Sequence, residues 1–154
     1  MATAYVESSA LVKRYVAEVG SAWVRRTVAR PVHQVLYTAI LTEVEVRSAL
    51  QRLVREGRLD TVQAKRLTQR VTQHFTQQYQ VIRITRPIVT QAGMVLERHP
   101  LRAYDAVQLA CALAVQRLLH QRGMPPPLFV TADDALLAAA RAEGFPVDNP
   151  LQHP

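Results

Sequence analysis

Short runs of strand-forming residues, spaced by helical stretches, leave this chain few ways to fold. Residues 2–6, 34–39, 79–84, 128–131 and 145–147 are apolar, β-branched or aromatic and read as strands. Between them lie stretches with apolar residues at helical spacing, such as Val46, Ala49, Leu50 and Leu53, or Ala64, Leu67, Val71 and Phe75. Strands alternating with helices build a parallel sheet covered on both faces, with right-handed crossovers. The expected fold class is therefore α/β, a three-layer sandwich with a mostly parallel central sheet. At 154 residues, one domain over 1–154 is expected. The Pro-rich stretch at 123–127 is too short to divide it. The strand order is not legible in this pattern.

Local signals place the helices. The first spans 10–16, with Ser8 or Ser9 as N-cap. Gly20 reads as a C-cap and Ser21 as the N-cap of a helix over 21–30, stopped by Pro31. Thr42 opens a helix that ends near Gly57, and Asp60 caps the next. Thr85 and Pro87 start one that stops before Pro100. A long apolar helix covers 101–121, and an Ala- and Leu-rich helix after Asp134 ends at Gly144.

Nineteen Lys and Arg face twelve Asp and Glu, a net charge of +7, and Lys occurs only at 13 and 65. An Arg-rich basic chain suits a polyanionic partner, nucleic acid or an acidic protein. No apolar run approaches the ~20 residues that span a bilayer, so no membrane partner is expected. The N-terminus lacks a signal-peptide pattern, and the single Cys111 suits a reducing cytoplasm, so a cytoplasmic location is expected.

Against this basic background the acids have a pattern. Glu7 ends the first strand, Glu43 and Glu45 lie where the helix after the second opens, Asp105 lies near a helix start, and Asp133 and Asp134 follow the fourth strand. Strand ends and helix starts share one edge of a parallel sheet, so these acids converge there. A carboxylate at a helix N-terminus gains roughly 0.3–1 kcal/mol from the dipole alone, and that explains Asp60. It explains Glu7 and Asp105 less well, since both are embedded in apolar sequence. Clustered carboxylates call for a cation, and oxygen-only donors suit Mg²⁺ or Mn²⁺. The five His show no zinc spacing, and there is no P-loop, G-x-G-x-x-G or G-x-S-x-G motif.

Four stretches carry a resemblance: residues 5–15 (YVESSALVKRY), 41–50 (LTEVEVRSAL), 101–110 (LRAYDAVQLA) and 129–137 (FVTADDALL), closing with Val147-Asp-Asn-Pro150. In this order and at these separations they resemble the PIN-domain ribonucleases, and among them the VapC-type toxins of toxin–antitoxin pairs. The resemblance covers almost the whole chain. It implies a metal-dependent endoribonuclease with an acidic quartet at Glu7, Glu45, Asp105 and Asp133. Glu7, Asp105 and Asp133 would be metal ligands for Mg²⁺ or Mn²⁺, and Glu45 would bind metal or orient water. Ser9 and Thr131 would orient carboxylates or metal-bound water. The partners implied are an RNA substrate, a cognate antitoxin and a second copy of the chain in a homodimer. The family's usual first acid is Asp, and here it is Glu7. That departure leaves an alternative, a PIN-like RNA- or protein-binding module with impaired catalysis. A phosphoacceptor domain fits worse, because no acid pair precedes a strand-end Asp. Lys13, Arg14, Arg47 and Arg102 are candidates to grip RNA, and the apolar faces within 42–78 are candidates for partner contacts.

Overall fold

The computed structural model describes residues 2–29 and 34–154. Its strands are β1 (Ala2–Val6), β2 (Gln34–Ala39), β3 (Gln80–Ile82), β4 (Leu128–Val130) and β5 (Val147–Asp148). They form one sheet in the order β3-β2-β1-β4-β5, and every pairing is parallel. The chain works outward from β1 through β2 to β3, then crosses back to β4 and β5. The order reverses between β1 and β4, and open α/β sheets bind ligands at such a switch point, beyond the carboxyl ends of the strands.

Helices α1 (Ser8–Leu11), α2 (Ser21–Trp23), α3 (Ile40–Arg55) and α4 (Thr61–Gln77) lie on one face. Helices α5 (Arg86–Arg98), α6 (Ala103–Gln121) and α7 (Asp134–Ala142) cover the other. Strand alternation divides the core accordingly. Tyr5, Tyr37 and Phe129 pack with α5, α6 and α7, whereas Ala4, Val6, Leu36 and Val130 pack with α1, α3 and α4. The Tyr5 and Phe129 rings stack with centroids 5.4 Å apart, tying β1 to β4 beside the switch point. Cys111 is buried within α6, and burial pushes its thiol up to about 12, as befits a small core residue. No helix among the described residues is long and apolar enough to cross a membrane.

Several boundaries differ from those expected, each for a local reason. The first helix begins at Ser8 because Glu7 itself caps it, and it tightens into a 3₁₀ turn over Val12–Arg14 instead of reaching residue 16. Ser21 does not cap its own helix: its hydroxyl accepts from Glu18 N–H and donates to the Val16 carbonyl. After Trp23 the helix widens to π geometry over Val24–Val28, with Ala29 N–H reaching back to the Val24 carbonyl. The stop expected at Pro31 lies outside the described residues. Helix α3 starts at Ile40, two residues before Thr42, directly from β2. β2 thereby offers no backbone beyond Ala39, so β3 ends at Ile82. Phe145 leaves the expected last strand because its N–H closes the end of α7 on the Ala140 carbonyl, which delays β5 to Val147. The apolar residues Ala64, Val71 and Phe75 of α4 are spent on the core, so this face is not free for a partner.

Gly20 precedes α2 rather than ending a helix, with φ 86°. A Cβ there would overlap the Pro150 carbonyl oxygen and sit 2.8 Å from its carbon. Gly57 has a similar φ of 71° but open space around it. The left-handed conformation costs a non-glycine residue ~1–2 kcal/mol. Gly57→Ala should lose about that much stability in urea unfolding, and Gly20→Ala distinctly more, because overlap with Pro150 adds to the backbone cost. Equal losses would show that the Pro150 contact yields freely.

Candidate active site

Four elements deliver acids to the carboxyl edge of the sheet. Glu7 leaves β1, Glu45 lies on α3, Asp105 in the first turn of α6, and Asp133 caps α7 just after β4. Glu7 is only 3% exposed. Its Oε1 accepts from Ser9 N–H (3.0 Å), from the Ser9 hydroxyl and from the Thr131 hydroxyl (2.8 Å). Ser9 Oγ also accepts from Ala132 N–H (2.9 Å), and Thr131 Oγ1 from Asp133 N–H (3.0 Å). Ser9 and Thr131 thus lock the exits of β1 and β4 together around one carboxylate oxygen.

The other oxygen is differently placed. Among the described residues Glu7 Oε2 has only the Ser8 hydroxyl, at 3.3 Å, and that hydroxyl also lies 3.1 Å from Glu45 Oε2. One hydroxyl proton cannot serve both acceptors at once. Glu45 is held from its other side by Gln108, whose Nε2 donates to Glu45 Oε1 and to Thr42 Oγ1, both at 2.8 Å. Gln108 Oε1 accepts from the Tyr5 hydroxyl at 2.7 Å, which fixes the orientation of the amide. Sequence reasoning missed Gln108. The available signal was an amide on the inward face of an otherwise apolar helix, one turn after Asp105.

Like charges run along this edge. Burial raises the Glu7 pKa against the hydrogen bonds from Ser9 and Thr131, and the Glu45 charge adds to the rise. Burial raises Glu45 against its bonds to Gln108 and Ser8, and Asp105 adds to it. Burial raises Asp105, the Asp133 charge adds to it, and Arg102 opposes. Each acid therefore feels the next, in the sequence Glu7, Glu45, Asp105, Asp133. Asp133 commits Oδ1 to Leu136 N–H at 2.8 Å. Glu43, the neighbouring candidate, accepts from Thr72 on α4 instead; Asp133 and Asp134 are both exposed, and it is Asp133 that caps α7.

Among the described residues no three His, Cys, Asp or Glu side chains close around a single point. The arrangement is an open row, not a cage. Its donors are carboxylate oxygens alone, with more acceptors than protons between Glu7 and Glu45. That chemistry fits a hard divalent cation held by a few carboxylates and completed by water or phosphate. Of the expected RNA-gripping cations, two are already engaged. Lys13 is buried and paired with Glu18 at 2.9 Å, and Arg14 donates to the Tyr79 hydroxyl and to Gln78 Oε1. Arg47 and Arg102 remain exposed.

Two outcomes follow from this geometry. Gln108→Leu strands Tyr5, Thr42 and Glu45 at once; at ~1–3 kcal/mol for each buried polar group left unpaired, unfolding should show a loss of at least ~2 kcal/mol. The raised carboxylate pKa values have a definite sign. Glu7, Glu45 and Asp105 titrate higher folded than unfolded, where carboxylates sit near ~4. Their contribution is present below that value and is lost as pH rises through the folded pKa values. Mn²⁺ should therefore raise the melting temperature more near pH ~7.5, where more of these three carboxylates are ionised, than near pH ~4.5. An equal shift at both would mean that Mn²⁺ binds elsewhere.

The family model for the PIN domain matches residues 4–142. No curated protein matches. Among solved structures, a toxin–antitoxin complex from Klebsiella pneumoniae is 17% identical over 96% of this chain and 97% of its own, with a TM-score of 0.60. FitAcB from Neisseria gonorrhoeae is 15% identical over 95% and 96%, at 0.61. VapBC2 from Rickettsia felis, bound to a promoter DNA fragment, is 8% identical over 96% and 98%, at 0.59. Likeness at these identities speaks to the fold alone, and it agrees with the parallel sandwich described above. The family match covers both exits of the switch point and each of the four acids, and on that ground the chain belongs to the PIN domain family.

Proposed function

We propose that this chain, acting as a single unit over residues 1–154, is a divalent-metal-dependent endoribonuclease and the toxin of a toxin–antitoxin pair. The observation that carries the reading is the row of mutually repelling carboxylates at the switch point, with one Ser8 proton between Glu7 and Glu45. Such a row is costly to assemble unless a cation neutralises it. Membership of the PIN domain family supports nuclease chemistry, and the Klebsiella pneumoniae neighbour is itself a toxin–antitoxin complex. The net charge of +7 suits an RNA substrate and an acidic antitoxin segment. A homodimer and a VapC-type assignment belong to the same reading.

Glu7 through Oε2, Asp105 and Asp133 would hold Mg²⁺ or Mn²⁺. A bound divalent cation supplies Lewis acidity at the scissile phosphate and lowers the pKa of a water. The chain's own residues do the rest. Ser9 and Thr131 fix Glu7 Oε1, so its other oxygen keeps one direction. Gln108 holds Glu45 through Oε1, leaving Oε2 toward Ser8, where it can orient a water or accept its proton. Arg102, beside Asp105, offsets part of the local negative charge and is exposed to meet a phosphate.

A second reading, a PIN-like RNA- or protein-binding module without cleavage, draws on the three donors that engage Glu7 Oε1. Metal titration separates the two, since the module needs no carboxylate-dependent metal binding. For the nuclease, Asp105→Asn should lower Mg²⁺- or Mn²⁺-dependent RNA cleavage by at least ~10²-fold in a labelled-RNA assay, the scale of losing one preorganised electrostatic group. Undiminished cleavage by that variant would remove Asp105, and the row with it, from the mechanism.

A further inference from the structure

A groove of about 450 Å³ opens beside the row of acids, between α1, α3 and the start of α6. That volume is within the ~300–1,000 Å³ of small-ligand clefts. Along α3 its lining runs from Leu41 and Val44 through Glu45 and Ala49 to Arg52, with Ser8 on α1 and Tyr104 on α6 completing it. Tyr104 and Val44 are each 64% exposed, although each is the sequence neighbour of a site acid. Among the described residues the Tyr104 ring stacks on no other aromatic, and its hydroxyl makes no hydrogen bond. A lone exposed aromatic is ordinary. Here it lines a cleft that also holds apolar side chains, a site acid and an exposed arginine. Arg52 is seven residues beyond Glu45 on α3, or ~10 Å at the helical rise. Among the described residues its acid partner is Glu56, at 4.0 Å with both side chains exposed, a pairing weak enough to leave Arg52 available to an anion.

A nucleotide offers the matching parts: a flat base for the exposed ring and a phosphate for the arginine. We propose that this groove is a nucleobase subsite, in which Tyr104 stacks on one base of single-stranded RNA while Arg52 takes the following phosphate. The inference rests on the nuclease reading and deepens it, because it names the residue that grips the base beside the cut. Every base offers a π-face, so stacking of this kind tolerates sequence while requiring an unpaired strand. A protein segment lying in the groove is the competing occupant. It would use the same apolar wall but would need no aromatic ring at residue 104.

The test is steady-state cleavage of a short dye- and quencher-labelled single-stranded RNA by the full chain in Mn²⁺. Tyr104→Ala should raise KM ~10-fold with kcat changed by less than ~3-fold, within the range of a lost base stack. Tyr104→Phe should restore KM, and Tyr104→Leu should not. Replacing single nucleotides of the RNA by abasic ones should reveal one position that costs the unmodified protein ~10-fold and costs Tyr104→Ala nothing further. Rescue by Leu as good as by Phe, or a KM for Tyr104→Ala within ~2-fold of the unmodified protein, overturns the subsite and favours a protein segment there. If the unmodified protein cleaves no RNA in Mg²⁺ or Mn²⁺, the nuclease reading itself has failed, an outcome distinct from cleavage that ignores Tyr104.

Discussion

Burying the Glu7 carboxylate is the constraint on which the rest of this edge depends. A desolvated charge costs several kcal/mol unless its lone pairs are met. Here they are met by the parts that must be joined: Ser9 on the new helix α1, and Thr131 at the end of β4. The same two hydroxyls accept from Ala132 and Asp133 N–H groups, so the β4 exit cannot shift without disturbing Glu7. The Glu7 N–H itself bonds to the Val130 carbonyl at 3.2 Å. One carboxylate oxygen thus sets the relation between the first and last acids of the row.

This bears on the exchange of Asp for Glu. The additional methylene lengthens the side chain by ~1.5 Å. The chain uses that length to fold the carboxylate back as the N-cap of α1, accepting from Ser9 N–H. Oε1 is consumed in doing so, and Oε2 is left toward Ser8 and Glu45. A longer side chain with one oxygen anchored is not looser than a shorter one, because the anchoring removes the rotamer freedom that the methylene adds. Gln108 does the equivalent for Glu45 from the opposite side of the sheet, with the Tyr5 hydroxyl holding its amide.

What could be read from the sequence was what depends on short-range pattern. β1 and β2 fall on the residues their apolar runs indicated, and Asp60 caps α4 as its position indicated. The convergence of acids on one edge followed from topology alone, since strand ends and helix starts share a side of any parallel sheet. Features set by distant partners were not legible. Gly20 is dictated by Pro150, 130 positions away, and β3 is cut short by the abrupt turn of β2 into α3. Gln108 looked like a polar residue on an apolar helix until Tyr5, Thr42 and Glu45 appeared around it. Lys13 looked available, and its burial beside Glu18 depends on how the chain turns after Arg14.

The charge pattern joins these pieces. The chain carries a surplus of seven positive charges, yet gathers four of its twelve acids along one edge, and three of those have raised pKa values. The overall field attracts a polyanion at long range, whereas the row repels it at close range. Screening weakens the exposed field within ~10 Å at moderate salt, but acts far less on partly buried carboxylates. The ionised row therefore opposes a phosphate at close range, and a divalent cation there would offset that opposition. Under the proposed nuclease reading, a cation there would govern admission as well as chemistry. Substrate affinity should then depend on metal in proportion to the charge of the row, which Gln108, Ser8 and Arg102 hold at its present strength.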